Sequence, residues 1–103
     1  MKQIQQKIKS FCEENDMNAP IEHKVLDTLS ELGEVAKEIL KMSNYGKKEI
    51  EYKEELKMEL GDVLYSLITI ANTYNIDLEE ALNQVLQKYE SRLKKGSAGS
   101  ENE

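Results

Sequence analysis

Apolar positions recur at a helical spacing along most of the chain. Ile4, Ile8, Phe11 and Cys12 predict a first helix over Lys2–Glu14. Asn15-Asp16-Met17-Asn18-Ala19-Pro20 reads as a turn, because Asn and Asp side chains bond to nearby backbone and Pro suits a first helical turn. A second helix is predicted over Pro20–Met42, with Val25, Leu26, Leu29, Leu32, Ala36, Ile39 and Leu40 as its apolar stripe. Ser43-Asn44-Tyr45-Gly46 is a stop signal, Gly46 supplying a left-handed cap. Lys47–Glu54 is highly charged and reads either as loop or as the fraying start of the third helix. The third helix is expected from Glu51 to Tyr74, its stripe built from Leu56, Leu60, Val63, Leu64, Leu67, Ile68 and Ala71. Asn75-Ile76-Asp77 breaks it. Asp77-x-x-Glu80 resembles a capping box and opens a fourth helix through Leu78, Ala81, Leu82, Val85, Leu86 and Tyr89, ending near Lys95. The pattern predicts an all-α, four-helix bundle-type protomer over residues 1–95. The small, polar residues 96–103 read as a disordered tail.

Composition narrows the partners. A 103-residue chain buries a modest fraction of its surface, so a homo-oligomer is expected. Fourteen Lys and Arg against 20 Asp and Glu give a net charge of −6, which argues against a nucleic-acid polymer as partner. A single cysteine excludes an intrachain disulfide or a multi-Cys zinc site, and a single histidine excludes a His-rich metal site. No apolar run reaches membrane-spanning length and no signal-peptide core is visible, so a cytoplasmic location is expected.

One internal similarity changes the picture. Ser30-Glu31-Leu32-Gly33-Glu34-Val35 in the second helix parallels Met58-Glu59-Leu60-Gly61-Asp62-Val63 in the third. Each carries two acids at i and i+3, hence on one side of its helix. Each also carries a helix-interior glycine, which costs about 1 kcal/mol against alanine. Glu38 extends the first acidic face and Glu55 the second. At about 100° per residue, Glu31, Glu34 and Glu38 lie opposite the leucine stripe, and that face carries no interleaved lysine. If the helices form an antiparallel hairpin, the acid pairs converge, the glycines allowing close approach. Converging carboxylates cannot all ionise without a cation, and oxygen-only donors suit Mg²⁺ or Mn²⁺. A solvated acidic face is the plainer alternative; the doubled motif favours a metal site.

ELGEVAKEI, a gap, and then EELKMELGDVLYSLITIA is similar to the MazG-like nucleotide pyrophosphohydrolases of the all-α NTP pyrophosphohydrolase superfamily. The signature there is Glu-x-x-Glu, a spacer, then Glu-x-x-Asp. Here it is Glu31-x-x-Glu34, 24 residues, then Glu59-x-x-Asp62. The resemblance implies Mg²⁺-dependent hydrolysis of a nucleoside triphosphate to a monophosphate and pyrophosphate, in a dimer or tetramer with the site at subunit contacts. It implies Glu31, Glu34, Glu59 and Asp62 as metal ligands and Glu38 in a supporting or second-metal role. Lys88 and Arg92 match the family's phosphate-binding Lys-x-x-x-Arg pair; the alternative is cations complementing a helix C-terminus. Glu34 or Glu38 could orient or deprotonate the attacking water, and sequence does not choose between them.

Tyr65 shares the general side of Asp62 and is either a nucleobase contact or an interface residue. Cys12 reads as a buried small apolar group, His23 as a partly exposed structural residue, and Met42 and Met58 as core fillers. Three other functions stand against the leading one. A phosphoribosyl-ATP pyrophosphohydrolase of the same superfamily would share the metal acids. A non-catalytic helical metal- or nucleotide-binding module would leave the acids solvated. A di-iron bundle would need Glu-x-x-His motifs, and the chain has none.

Overall fold

The computed structural model describes residues 1–96. It consists there of four helices without strands: α1 Lys2–Glu14, α2 Ile21–Met42, α3 Glu55–Thr73 and α4 Leu78–Lys94. The expected tail lies outside the described residues, apart from Gly96. That residue instead closes α4, with φ +82° and its N–H donating to the Leu93 carbonyl at 3.0 Å. No helix among the described residues is long and apolar enough to cross a membrane.

Local chemistry sets the boundaries. After α2, Asn44, Tyr45 and Gly46 all take positive φ, and the Ser43 hydroxyl accepts the Gly46 N–H at 2.9 Å. The third helix starts at Glu55, four residues later than its pattern suggested. The Glu51 N–H donates to the Met42 carbonyl at 2.9 Å, which pins that stretch to the end of α2 instead of the start of α3. Asp77 caps α4 as expected: Oδ1 accepts the N–H groups of Glu79 at 3.0 Å and Glu80 at 3.3 Å.

α2 and α3 form an antiparallel hairpin. Lys24 near the start of α2 donates from Nζ to Thr73 Oγ1 at the end of α3 (2.7 Å), while Met42 meets Glu51 at the other end. α1 lies antiparallel on the C-terminal half of α3, where Gln5 meets Asn72 and Cys12 meets Tyr65. Gln5 is the buried joint of this contact. Its Nε2 donates to Asn72 Oδ1 (3.1 Å) and the Ile76 carbonyl (2.8 Å), and its Oε1 accepts the Leu78 N–H (2.9 Å). Asn72 Nδ2 returns a bond to the Gln5 carbonyl at 2.9 Å. One carboxamide thus satisfies an otherwise orphaned donor of α4 and ties three helices together.

The hairpin turns the acid-bearing face of α2 inward, as the antiparallel pairing anticipated. Toward α3 it turns Lys24, Thr28, Glu31, Val35, Glu38 and Met42, all half-buried or buried. The leucine stripe faces outward: Leu26, Leu29 and Leu32 are 63, 62 and 53% exposed. Leu60, Leu64 and Leu67 of α3 and Leu82, Leu86 and Leu93 of α4 are exposed as well. Met58 is exposed, not a core filler. Among the described residues the buried apolar set is Cys12, Val35, Met42, Ile68 and Ala71. The Cα radius of gyration is 17.1 Å, against about 13 Å for a compact chain of similar length.

Candidate metal centre

Glu31 stands on the inward face of α2, and Glu59 and Asp62 stand one turn apart on α3. The antiparallel pairing brings one carboxylate oxygen of each to within 4.8 Å of the others. Glu31 and Glu59 are half-buried and Asp62 is exposed, so the cluster opens to the surface part-way along the hairpin. Removal from water raises the Glu59 pKa above its ordinary value, and the negative charges of Asp62, Glu34, Glu31 and Glu38 push the same way. Three clustered carboxylates without an imidazole or thiolate form a donor set that fits a small, hard divalent cation.

The other expected acids play different parts. Glu34 is half-buried and lies outside the 4.8 Å group, although its charge is felt at Glu59. Glu38 is tied to Lys41 at 3.5 Å. The acid face of α2 therefore carries a lysine partner after all, from one turn further along the helix. The glycines are not what allows the acids to meet: a Cβ added at Gly33 or Gly61 would have nothing within 4 Å.

Tyr65 follows Asp62 by one turn, and its hydroxyl lies 3.2 Å from the Cys12 sulfur. This hydrogen bond, then burial, pushes the phenol up to about 12. Cys12 is buried, as its reading as a small apolar group anticipated, and His23 is exposed. On α4, Lys88 Nζ and Arg92 Cζ lie 5.5 and 5.6 Å from the Tyr89 ring centroid, and Arg92 is buried. The principal helix contacts are α2 with α3 and α1 with α3, so α4 meets the other helices mainly through its first turn. Gln5 escaped the sequence reading. A lone Gln on a polar stretch of α1 carries no signal until the turn that it completes is known.

A helical hairpin with a carboxylate-only cluster between its arms defines the class: an all-α protein with an oxygen-donor site suited to a divalent cation. The model of the MazG nucleotide pyrophosphohydrolase domain matches residues 21–97. The crystal structure of the Bacillus-conserved MazG protein, a nucleotide pyrophosphohydrolase, superposes with a TM-score of 0.72 at 30% identity, covering 85% of this chain and 86% of that one. The structure of YpjD from Bacillus subtilis matches equally at 0.72 and 30%, over 85% of this chain and 92% of that one. In sequence, YpjD of Bacillus subtilis (strain 168) is 42% identical over 67 residues, 62% of this chain; the chain spans 59% of that relative's length. The chain belongs to the MazG nucleotide pyrophosphohydrolase domain family.

Proposed function

We propose that the protein is a Mg²⁺-dependent nucleoside triphosphate pyrophosphohydrolase, cleaving an NTP or dNTP between the α and β phosphates to a monophosphate and pyrophosphate, in a nucleotide-pool housecleaning role. The carrying observation is the convergence of Glu31, Glu59 and Asp62 oxygens within 4.8 Å, inside the segment that the family model matches. In this reading Glu31, Glu59 and Asp62 hold Mg²⁺, with Mn²⁺ an alternative of the same donor preference, and Glu34 completes the set. The cation, when bound, offsets phosphate charge and makes water more acidic. Glu34 or Glu38 accepts the attacking water's proton, Glu38 from within its ion pair with Lys41.

Lys88 and Arg92 neutralise the polyphosphate, and Tyr89 between them holds both cations beside its ring. The protein acts as a homodimer or homotetramer. Its support is the leucine face of the hairpin, which no helix among the described residues covers. A second copy covers that face and brings its own α4 pair toward the acids.

The test is pyrophosphate release from all canonical NTPs and dNTPs, with Mg²⁺ and with chelator, beside Glu59→Ala. The expected result is monophosphate plus pyrophosphate, abolished by chelator and reduced at least about a hundredfold in the variant. Undiminished turnover by Glu59→Ala would sink the reading.

A further inference from the structure

Gln5 is only 7% exposed, on a helix whose lysines, Lys2, Lys7 and Lys9, all stand in solvent. Burying a carboxamide is unfavourable unless its bonds are made. This one makes them to the backbone of the α3–α4 turn. Nε2 donates to the Ile76 carbonyl (2.8 Å), and Oε1 accepts the Leu78 N–H (2.9 Å). Asn72 fixes which way round the amide lies. Its Oδ1 accepts Nε2 at 3.1 Å, and its Nδ2 donates to the Gln5 carbonyl at 2.9 Å. The turn is braced from α3 as well: Asn75 takes φ +53°, and the Ile76 N–H donates back to the Ala71 carbonyl at 2.9 Å. A side chain that clips a carbonyl and the N–H two residues on fixes the direction in which the chain leaves the turn, and so the axis of α4.

That axis matters because α4 meets the other helices mainly at its root. The neighbouring ion pair of Lys2 with Asp77, at 3.9 Å and with an exposed lysine, constrains it weakly. Lys88 and Arg92 lie ten and 14 residues beyond Leu78, about 15 and 21 Å along the helix. A change of about 10° in the axis at the turn swings them by about 3 and 4 Å. A misplacement of about 1 Å in a group that holds substrate already costs up to about a hundredfold in rate.

We infer that Gln5 is a positioning residue for polyphosphate binding: by fixing the axis of α4 at its root, it places Lys88 and Arg92 against the phosphates. Gln5 itself touches no substrate. The inference rests on Lys88 and Arg92 being the cations that meet the polyphosphate.

The test compares the unaltered chain, Gln5→Met, Lys88→Ala with Arg92→Ala, and the triple variant. Methionine keeps the length of the side chain and removes its hydrogen bonds. Calorimetry reads the affinity for inorganic tripolyphosphate with Mg²⁺. Electron spin resonance reads Mn²⁺ alone, which reports the acids of α2 and α3. Gln5→Met is expected to weaken tripolyphosphate about tenfold in the unaltered background and less than about twofold once Lys88 and Arg92 are gone. Mn²⁺ affinity stays within about twofold throughout. A merely structural role for Gln5 would weaken both probes together, or weaken tripolyphosphate equally in either background; each of these results overturns the inference. Unchanged tripolyphosphate affinity in Gln5→Met, where the Lys88 and Arg92 variant is weakened, overturns this inference alone. A Lys88 and Arg92 variant that binds as the unaltered protein does, or an unaltered protein that binds no tripolyphosphate, overturns the phosphate-binding role of the pair and this inference with it.

Discussion

Glu59 is the residue on which the metal reading turns most sharply. Its carboxyl holds its proton above the ordinary 4.5, through loss of water and then through four neighbouring acids. The folded protein therefore binds more protons than the unfolded chain in the interval above that value. Its stability without metal falls as pH rises through the interval. Glu59→Gln removes the charge and keeps the shape. In chelator at neutral pH, this variant is expected to melt above the unaltered protein; with Mg²⁺ the order reverses, because only the carboxylate gains from the cation. Thermal melts with and without metal check both halves, and a lower melting point for the variant in chelator contradicts the first. The four signature acids stood out in the sequence as candidate ligands, and three of them come together. Which of them touch was not legible there, because an i,i+3 spacing fixes a common side of one helix but says nothing of the register between two helices.

At the scale of elements, α4 is held by its start. Asp77 caps it, Gln5 takes the Leu78 N–H, and the Met1 ammonium pairs with Glu79 at 3.0 Å on the exposed surface. Asp77→Ala is expected to cost about 1 kcal/mol. Gln5→Ala costs more, about 1–3 kcal/mol, since it removes the bonds of a buried carboxamide to part-buried groups on three segments, Asn72, the Ile76 carbonyl and the Leu78 N–H. Hydrogen exchange at Leu78, Glu79 and Glu80 should accelerate in both variants, and denaturant melts give the magnitudes; an unchanged α4 exchange pattern in Gln5→Ala contradicts the clamp. Helix number, order and most ends were readable from period and capping residues. The start of α3 was not. The acids of residues 51–54 suit a helix N-terminus, and a backbone bond to Met42 overrides that local preference. The glycines misled in the other direction, since their doubled occurrence suggested a tight crossing that the hairpin does not contain.

For the whole molecule, amphipathic pattern identified the two faces of α2 and left open what covers the leucine face. Periodicity tells which residues lie together; it does not tell whether the cover comes from the same chain. The outward leucines therefore predict the assembly. Leu29→Asp with Leu64→Asp is expected to shift sedimentation toward the monomer mass and to lower thermal stability, because an exposed apolar face of this extent calls for a partner. A double variant that keeps the assembly intact contradicts this use of the face. The contact of α1 with α3 offers a different kind of readout. With five tyrosines and no tryptophan, the protein's near-ultraviolet spectrum belongs largely to tyrosine. One of these phenols, Tyr65, is kept from ionising until about 12 by the Cys12 thiol. An alkaline absorbance titration should contain a late step for Tyr65 that Cys12→Ala moves earlier, so a spectrophotometer alone can report whether the first helix is seated.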